Sequence, residues 1–565
     1  MAPGALIDVE GLTFRYRRAT EPAVRDVTLS IAPGEVVLVA GPSGCGKSTL
    51  LRAINGLVPH AYSGELSGSV RIDGRPTTEL RLREIGQIIG TLLQDPAKQI
   101  IGATVEAELA FGPENLAVSP AEIRNRIREV IADTGIPHLS GRETAHLSGG
   151  ERQLLAMAGA LMLRPRAYVV DEPLANLDPA TARHLLGMLR VLADAGHAVV
   201  IVEHRVEEAL ELRPDRVLAM DDGRATYLGP VDGFLATADT RAVKLPFEVV
   251  LARTRDEDLA TGTPGQTAAR ELVPGPSRLA FEAVDVRLGE RDVLRGVSAD
   301  LRAREAVAVL GPNGSGKTTL FRTAMGLVDP DAGTVRVDGE DTRGRPIADL
   351  ARSIGYVFQS PSQMLFNRTV VDELLFGPRT LGHDEATFDE LIDDVLRRTS
   401  LADLEDIRER PPLAMSFGQQ KRLALAIALA LRPSTLILDE PSAGQDHRTA
   451  QIFMREVTAI PGLESLYFVT HDVDLALTHA DRILLFREGR VIADGSPMEV
   501  IADTARWRAC DLRVTSLMEA NARYGSVDGK FLDADTLARR VIAQDPTRRH
   551  GPGREAAAGG LLTDH

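Results

Sequence analysis

The chain has 565 residues, 44% hydrophobic and 26% charged, with a formal net charge of −15 and two cysteines. That length exceeds what one core serves, so two to four domains are expected. The cysteine count excludes a disulfide framework or an iron–sulfur module and fits a reducing cytoplasm, and the acidic balance disfavours nucleic acid as main partner.

The opening residues, MAPGALIDVEG, lack a basic head followed by an apolar stretch, so no signal peptide is expected. LIDVEGLTFRYRRATEPAVRDVTLSIAPGE alternates apolar and polar residues between turn signals and predicts short antiparallel strands. EVVLVAG then reads as a buried parallel strand. It runs into GPSGCGKST, residues 41–49, of the form G-x-x-x-x-G-K-[ST], and TLLRAINGL behind it has a helical pattern. In that setting backbone N–H groups and a helix dipole point at one anion. Lys47 would reach the β/γ phosphates and the Ser48 hydroxyl a magnesium ion. The chain has six lysines against 59 arginines, so a lysine kept here marks a place for a compact charge. Cys45, inside the loop, reads as a small residue that fits; the alternative is a thiol made reactive by the helix N-terminus.

A small β segment, GSVRIDGRP, follows, then IIGTLLQDPAKQIIGATVEAELAFGPEN and a helical stretch, AEIRNRIREVIADTG. HLSGGERQLLAMAGALML is a serine–glycine turn opening a helix; its apolar run, residues 154–163, is too short for a membrane span. AYVVDEP is a strand ending in Asp171 and Glu172, and HAVVIVEH another ending in His204. Helical pieces then lead to TGTPGQTAARELVPGPS, which reads as a linker.

After it the series restarts. GPNGSGKTT, residues 311–319, is a second phosphate loop, and the landmarks recur at a nearly constant offset. Lys47 to Lys317 is 270 residues, Gln94 to Gln359 265, Ser148 to Ser416 268, Asp171 to Asp439 268 and His204 to His471 267. Such a period means an internal duplication. Beside each phosphate loop, Asp171 and Asp439 can hold a magnesium shell, and Glu172 and Glu440 can orient or deprotonate an attacking water. The tail past about Asp545 is expected to be disordered.

In combination these landmarks resemble the ATP-binding subunits of ABC transporters, over about 450 residues in two copies. The resemblance implies an α/β fold of two P-loop NTPase domains, each a mostly parallel RecA-like sheet with an antiparallel β subdomain and a helical subdomain. It implies ATP on Gly41, Pro42, Ser43, Gly44, Cys45, Gly46, Lys47, Ser48 and Thr49. The second ATP would lie on Gly311, Pro312, Asn313, Gly314, Ser315, Gly316, Lys317, Thr318 and Thr319. The domains would pair head to tail within the chain. Ser148, Gly149 and Gly150 would then contact the nucleotide held by Lys317, and Ser416 and Gly418 the one held by Lys47. Asp178 and Asp446 match the D-loops, His204 and His471 the switch histidines, and Tyr16 the aromatic that stacks on adenine. Gln94 and Gln359 match the Q-loop residues that sense magnesium and the membrane partner. The implied Mg2+ ligands are Ser48, Gln94 and Asp171 at the first site, and Thr318, Gln359 and Asp439 at the second.

A narrower resemblance is to energy-coupling-factor (cobalt/vitamin-type) ATPases. It rests on QDPAKQIIGATVEAELAFGPEN, on the looser QSPSQMLFNRTVVDELLFG, and on VKLPFEVVLAR and TSLMEANARYG after each half. It implies import of a vitamin, vitamin precursor or metal ion. The chain would sit at the cytoplasmic face of the cell membrane, under a transmembrane coupling subunit and a membrane substrate-binding subunit. The expected division is 5–245 and 277–512 for the ATPase domains, 246–276 for the linker and 513–565 for a helical extension and tail. Glu106, Glu108, Asp372 and Glu373 are expected to line the groove for the transmembrane subunit. The rivals are a tandem ABC protein acting on ribosomes, disfavoured by a linker that is neither basic nor a charged helix and by the acidic balance, and a fused sugar-importer ATPase, where one Walker lysine or carboxylate should be missing.

Several positions depart from the pattern: LSGGE for the commoner LSGGQ, Phe417 in MSFGQ, Gln445 in the second D-loop, Leu288 at the second adenine position, and Glu203 before His204 where Thr470 precedes His471. Unequal sites are therefore expected, the first holding ATP more tightly and the second turning over more readily.

Overall fold

The computed structural model describes residues 4–174, 177–240, 243–258, 275–525 and 530–544. The first half opens with a four-stranded antiparallel sheet in the order Val24–Ile31, Ile7–Tyr16, Gly64–Ile72, Arg75–Pro76. Ile7, Val9, Leu12 and Phe14 face inward, so the period-two alternation marks a sheet with one covered face. A six-stranded sheet follows in the order Arg224–Gly229, Arg216–Asp221, Val36–Ala40, Ala198–Val202, Ala167–Asp171, Ile89–Leu92. Its strands are parallel apart from the Arg224–Gly229 edge. VVLVA, AVVIV and AYVVD are buried at every position, because a parallel sheet is covered on both faces.

The second half repeats both strand orders, with Ala306–Leu310 at the place of Val36–Ala40 and Thr435–Asp439 at that of Ala167–Asp171. This is the duplicated α/β architecture the sequence leads one to expect. In each half three neighbouring parallel strands end at one edge and deliver the phosphate loop, the Asp–Glu pair and the histidine there.

A helix, Phe247–Asp258, occupies the start of the stretch expected to be linker, and packs on the second half's helices Ser516–Tyr524 and Ala534–Gln544. The Phe247 N–H donates to Ser516 Oγ at 2.8 Å, and the Phe247 and Tyr524 rings lie 6.5 Å apart. One cluster of buried apolar residues runs through both halves, taking in Leu185, Phe247, Leu436 and Leu537. The rest of the linker, 259–274, and the tail from 545 lie outside the described residues.

Candidate nucleotide sites

Each phosphate loop needs glycine where the chain crowds itself. Gly41 has φ +148°, and a Cβ there would meet Met220 O at 2.2 Å; at Gly311, φ +155°, it would meet Phe486 O at 2.3 Å. The buried Lys47 Nζ donates to Gly41 O at 2.8 Å and Pro42 O at 2.7 Å, and Lys317 Nζ to Gly311 O and Pro312 O at 2.8 and 2.9 Å. Burial holds the Lys317 ammonium below the ordinary lysine range, against the charges of Glu440, Asp439 and Asp178.

Hydroxyl and carboxylate oxygens meet beside each loop. Ser48 is hydrogen-bonded to Asp171. Thr318 Oγ1 donates to Asp439 Oδ1 at 3.1 Å, and Tyr356 OH to Asp439 Oδ2 at 3.0 Å. Asp171 Oδ1 is buried with no hydrogen-bond partner among the described residues. Burial and the neighbouring glutamate raise Asp171 and Asp439 to about 6. An oxygen-only donor set with a spare buried carboxylate oxygen fits a magnesium ion, whose charge would hold both aspartates ionised.

Glu172 and Glu440 follow with φ of +46° and +51°, a left-handed backbone that glutamate adopts only when its surroundings impose it. Glu172 accepts His204 Nε2 at 2.7 Å and Gln94 Nε2 at 2.8 Å. Glu440 pairs with His471 through Nδ1, at 2.9 Å, and accepts the His471 N–H at 3.3 Å. Burial pushes both carboxyls up, but their histidine partners and the phosphate-loop lysines outweigh it and hold them below the usual carboxylate range. Carboxylate, histidine, glutamine and lysine thus converge at the first loop. At the second, Gln359, Glu440, Lys317 and Thr318 line one cavity of about 320 Å³ with Leu288 and Arg291 at its side.

The D-loops cross between the halves. Asp446 accepts the Ser43 N–H at 2.8 Å, and Asp178, which caps its own helix through Ala180 and Thr181, lies close enough to Lys317 to favour its charge. Ser148 and Ser416 start the helices Gly149–Leu161 and Phe417–Ala430 in reciprocal capping boxes with Glu151 and Gln419. Glu151 therefore does locally what the commoner glutamine does in the twin. Ser148, Gly149 and Gly150 do not line the cavity at Lys317.

Tyr16 OH lies 3.1 Å from Thr49 Oγ1 and accepts Arg52 Nη1 at 2.9 Å, tying that ring to the first phosphate loop, whereas Leu288 is 48% exposed. Phe417 does not stand free beside a nucleotide: its ring lies on Gly444 of its own half, where an added Cβ would meet Cε1 at 2.6 Å.

One expectation needs correction. Glu108 and Glu373 are not free charges for a partner. Glu108 Oε2 accepts the N–H groups of Ile101 and Gly102, each at 2.7 Å, and the buried Glu373 those of Phe366 and Asn367 at 3.0 and 2.7 Å. Glu106 likewise accepts the Gly141 N–H at 2.9 Å, and Asp372 the Thr369 hydroxyl at 2.8 Å. Acidic residues in a helix's first turn have been taken up by the chain around it.

Sequence reasoning missed Lys244, Arg513 and Lys421. Lys244 Nζ pairs with Asp474 across the halves at 2.7 Å, and Arg513 answers it with Glu211 at 3.1 Å and Glu207 at 3.8 Å. The one available signal was lysine scarcity, since both Lys244 and Lys421 belong to the set of six.

A family model described as "ABC transporter" matches residues 24–175 and 294–443. A Methanosarcina acetivorans protein named for ABC transporter ATP binding is 33% identical, covering 90% of this chain and 88% of its own. A like-named Vibrio vulnificus protein is 32% identical, covering 94% and 98%. A solved structure, CbiO1 from Clostridium perfringens, described as part of the ABC transporter complex CbiONQ, is 32% identical over 42% of this chain and 96% of that one, with a TM-score of 0.37.

Proposed function

The chain belongs to the ATP-binding proteins of ABC transporters and is an ATPase with two such domains, and we propose that it drives import of a small solute through an energy-coupling-factor transporter. The solute is a vitamin, a vitamin precursor or a metal ion. The partners are a transmembrane coupling subunit and a membrane substrate-binding subunit, at the cytoplasmic face of the membrane. No described helix is long and apolar enough to cross a membrane itself. The ATPase domains are assigned to 5–245 and 277–512. Lys47 and Lys317 hold ATP with Mg2+, Glu172 and Glu440 position the attacking water, and the serine–glycine turns close over the opposite nucleotide.

One observation supports the membrane partner above all. Beside each Q-loop stands an exposed apolar pair: Ile101 and Phe111, 67% and 45% exposed, and Phe366 and Phe376, 64% and 52% exposed. Both members recur at an offset of 265 residues, and the Phe366 and Phe376 rings meet edge to face at 4.9 Å. Glu108 and Glu373 hold the loops that present Ile101 and Phe366. Exposed apolar surface repeated in both halves suits a partner with two equivalent apolar contacts.

The test replaces all four residues by serine. Solute uptake and co-purification with the transmembrane partner should be lost, while ATPase of the isolated chain stays within about twofold. Retained membrane association and uptake, or co-sedimentation with ribosomes instead, would overturn the reading.

A further inference from the structure

The two D-loops are fastened by different groups. In the first half Glu203 is 2% exposed; its Oε1 accepts the Leu174 N–H at 2.8 Å and its Oε2 the His204 N–H at 3.0 Å. Arg205, on the other side of His204, donates Nη1 to the Leu174 carbonyl at 2.9 Å and is anchored on Glu208 through Nε at 2.8 Å. The residues flanking the switch histidine thus grip Leu174 by both its N–H and its C=O. The same carbonyl accepts the Leu177 N–H at 3.2 Å, and Asp178, facing Lys317 of the other half, comes next.

In the second half the flanking positions hold Thr470 and Asp472, and the Thr470 hydroxyl accepts the Asp472 N–H at 3.0 Å, turning inward on its own loop. There the D-loop is bound to the helix Phe417–Ala430. Lys421 Nζ donates to the carbonyls of Glu440 and Ala443 at 3.0 and 3.2 Å, and Phe417 covers Gly444. The first-half twins of these two, 268 residues earlier, are Gln153 and Gly149. Gln153 is buried, and its amide has no hydrogen-bond partner among the described residues.

This wiring has a direction. Asp446, touching Ser43 at the first site, follows a D-loop tied to the helix Phe417–Ala430 of its own half. Asp178, facing Lys317 at the second site, is tied to His204, which bonds to Glu172 at the first. We propose that Glu203 is a positioning residue that passes the displacement of His204 at the first nucleotide site to Asp178 at the second. Among the described residues the second half has no matching path back. This rests on the reading that ATP is hydrolysed at both loops. A threonine in place of Glu203 is too short to bridge Leu174 and His204, and two buried N–H groups then lose their acceptor.

The test uses the full chain with one site silenced at a time. In a Glu172→Gln background only the second site turns over. There Glu203→Thr should lower kcat at least fivefold and shift KM for ATP less than twofold. In a Glu440→Gln background, where only the first site works, the same change should cost less than twofold, although Glu203 adjoins His204 of that site. Arg205→Met, which releases the Leu174 carbonyl and leaves the His204 N–H bonded, should reproduce the second-site loss. It keeps the test open should Glu203→Thr fold poorly. Equal losses in both backgrounds, or a loss confined to the first site, would show a merely local structural role and overturn the proposal. If neither carboxamide substitution alone slows turnover, the two-site reading fails, and the proposal with it.

Discussion

Asp446 and Ser43 are 403 residues apart in the chain, yet Asp446 Oδ2 accepts the Ser43 N–H at 2.8 Å. The contact places a carboxylate of one half on the phosphate loop of the other. The second oxygen accepts the Thr449 N–H at 2.7 Å, starting the helix His447–Thr458. Burial raises this carboxyl, but the two N–H donors outweigh it and hold it below the usual range. Asp446→Ala removes two charge-assisted bonds, each worth about 1.5–3 kcal/mol. The variant should melt several degrees lower without nucleotide, and Asp446→Asn, which keeps an acceptor, should fall between. Three equal melting temperatures would show that the contact carries no stability.

Glu172→Gln and Glu440→Gln should each slow their own site on the order of 10²–10⁴-fold, and the double variant should bind ATP without turning it over. The sites should also differ in affinity. Tyr16 offers a ring at the first, whereas Leu288 stands half-exposed at the second. Loss of a base–aromatic stack worth about 1–3 kcal/mol corresponds to roughly five- to 150-fold weaker binding at Lys317. Nucleotide titration of the two single variants measures this, and matching affinities would remove the asymmetry.

Local chemistry was the legible part. The glycine loops, the strand-end carboxylates and the offset that pairs them are sequence-local patterns, and the sheets put them where such patterns require. What escaped depends on groups brought together from different halves or turned back on themselves. Glu108 and Glu373 look like free charges until the preceding loop supplies N–H groups to their carboxylates. Glu203 reads as a small departure beside His204, and only the apposition of Leu174 gives it a partner. Phe417 reads as a departure in the signature loop, and only the fold shows its ring covering a glycine of its own D-loop.

Lys244 carries a prediction about how the halves stay together. Its ammonium meets Asp474 at 2.7 Å, and Asp474 Oδ1 also accepts the Thr515 hydroxyl at 2.5 Å. Burial lowers the lysine's affinity for its proton, but Asp474, Asp472, Glu207 and Glu208 outweigh it and raise its pKa well above the ordinary value. Lys244→Met strands buried carboxylates, which typically costs about 3–5 kcal/mol. Thermal unfolding should show a large drop, with Lys244→Arg recovering part of it. A melting temperature unchanged in Lys244→Met would show that the pair contributes nothing net.

Lys421 makes stability depend on pH. Its amine is buried between the carbonyls of Glu440 and Ala443, 5.9 Å from the centre of the Phe453 ring. Burial brings it down to about 7 from an ordinary 10.5, against the charges of Glu440 and Asp439. Between those two values the unfolded chain binds the proton and the folded chain does not, so this residue adds stability as pH rises through the window. Below about pH 7 the charged form must be buried, and its cost is greatest. Lys421→Gln, which installs the residue found at Gln153, removes the titration while keeping a donor. The melting-temperature difference between wild type and variant should therefore move in the wild type's favour from about pH 7 to about pH 9.5. It should be flat below about pH 6, where the lysine is protonated in both states. A difference constant across the whole range would show that the Lys421 amine keeps its proton in the folded chain.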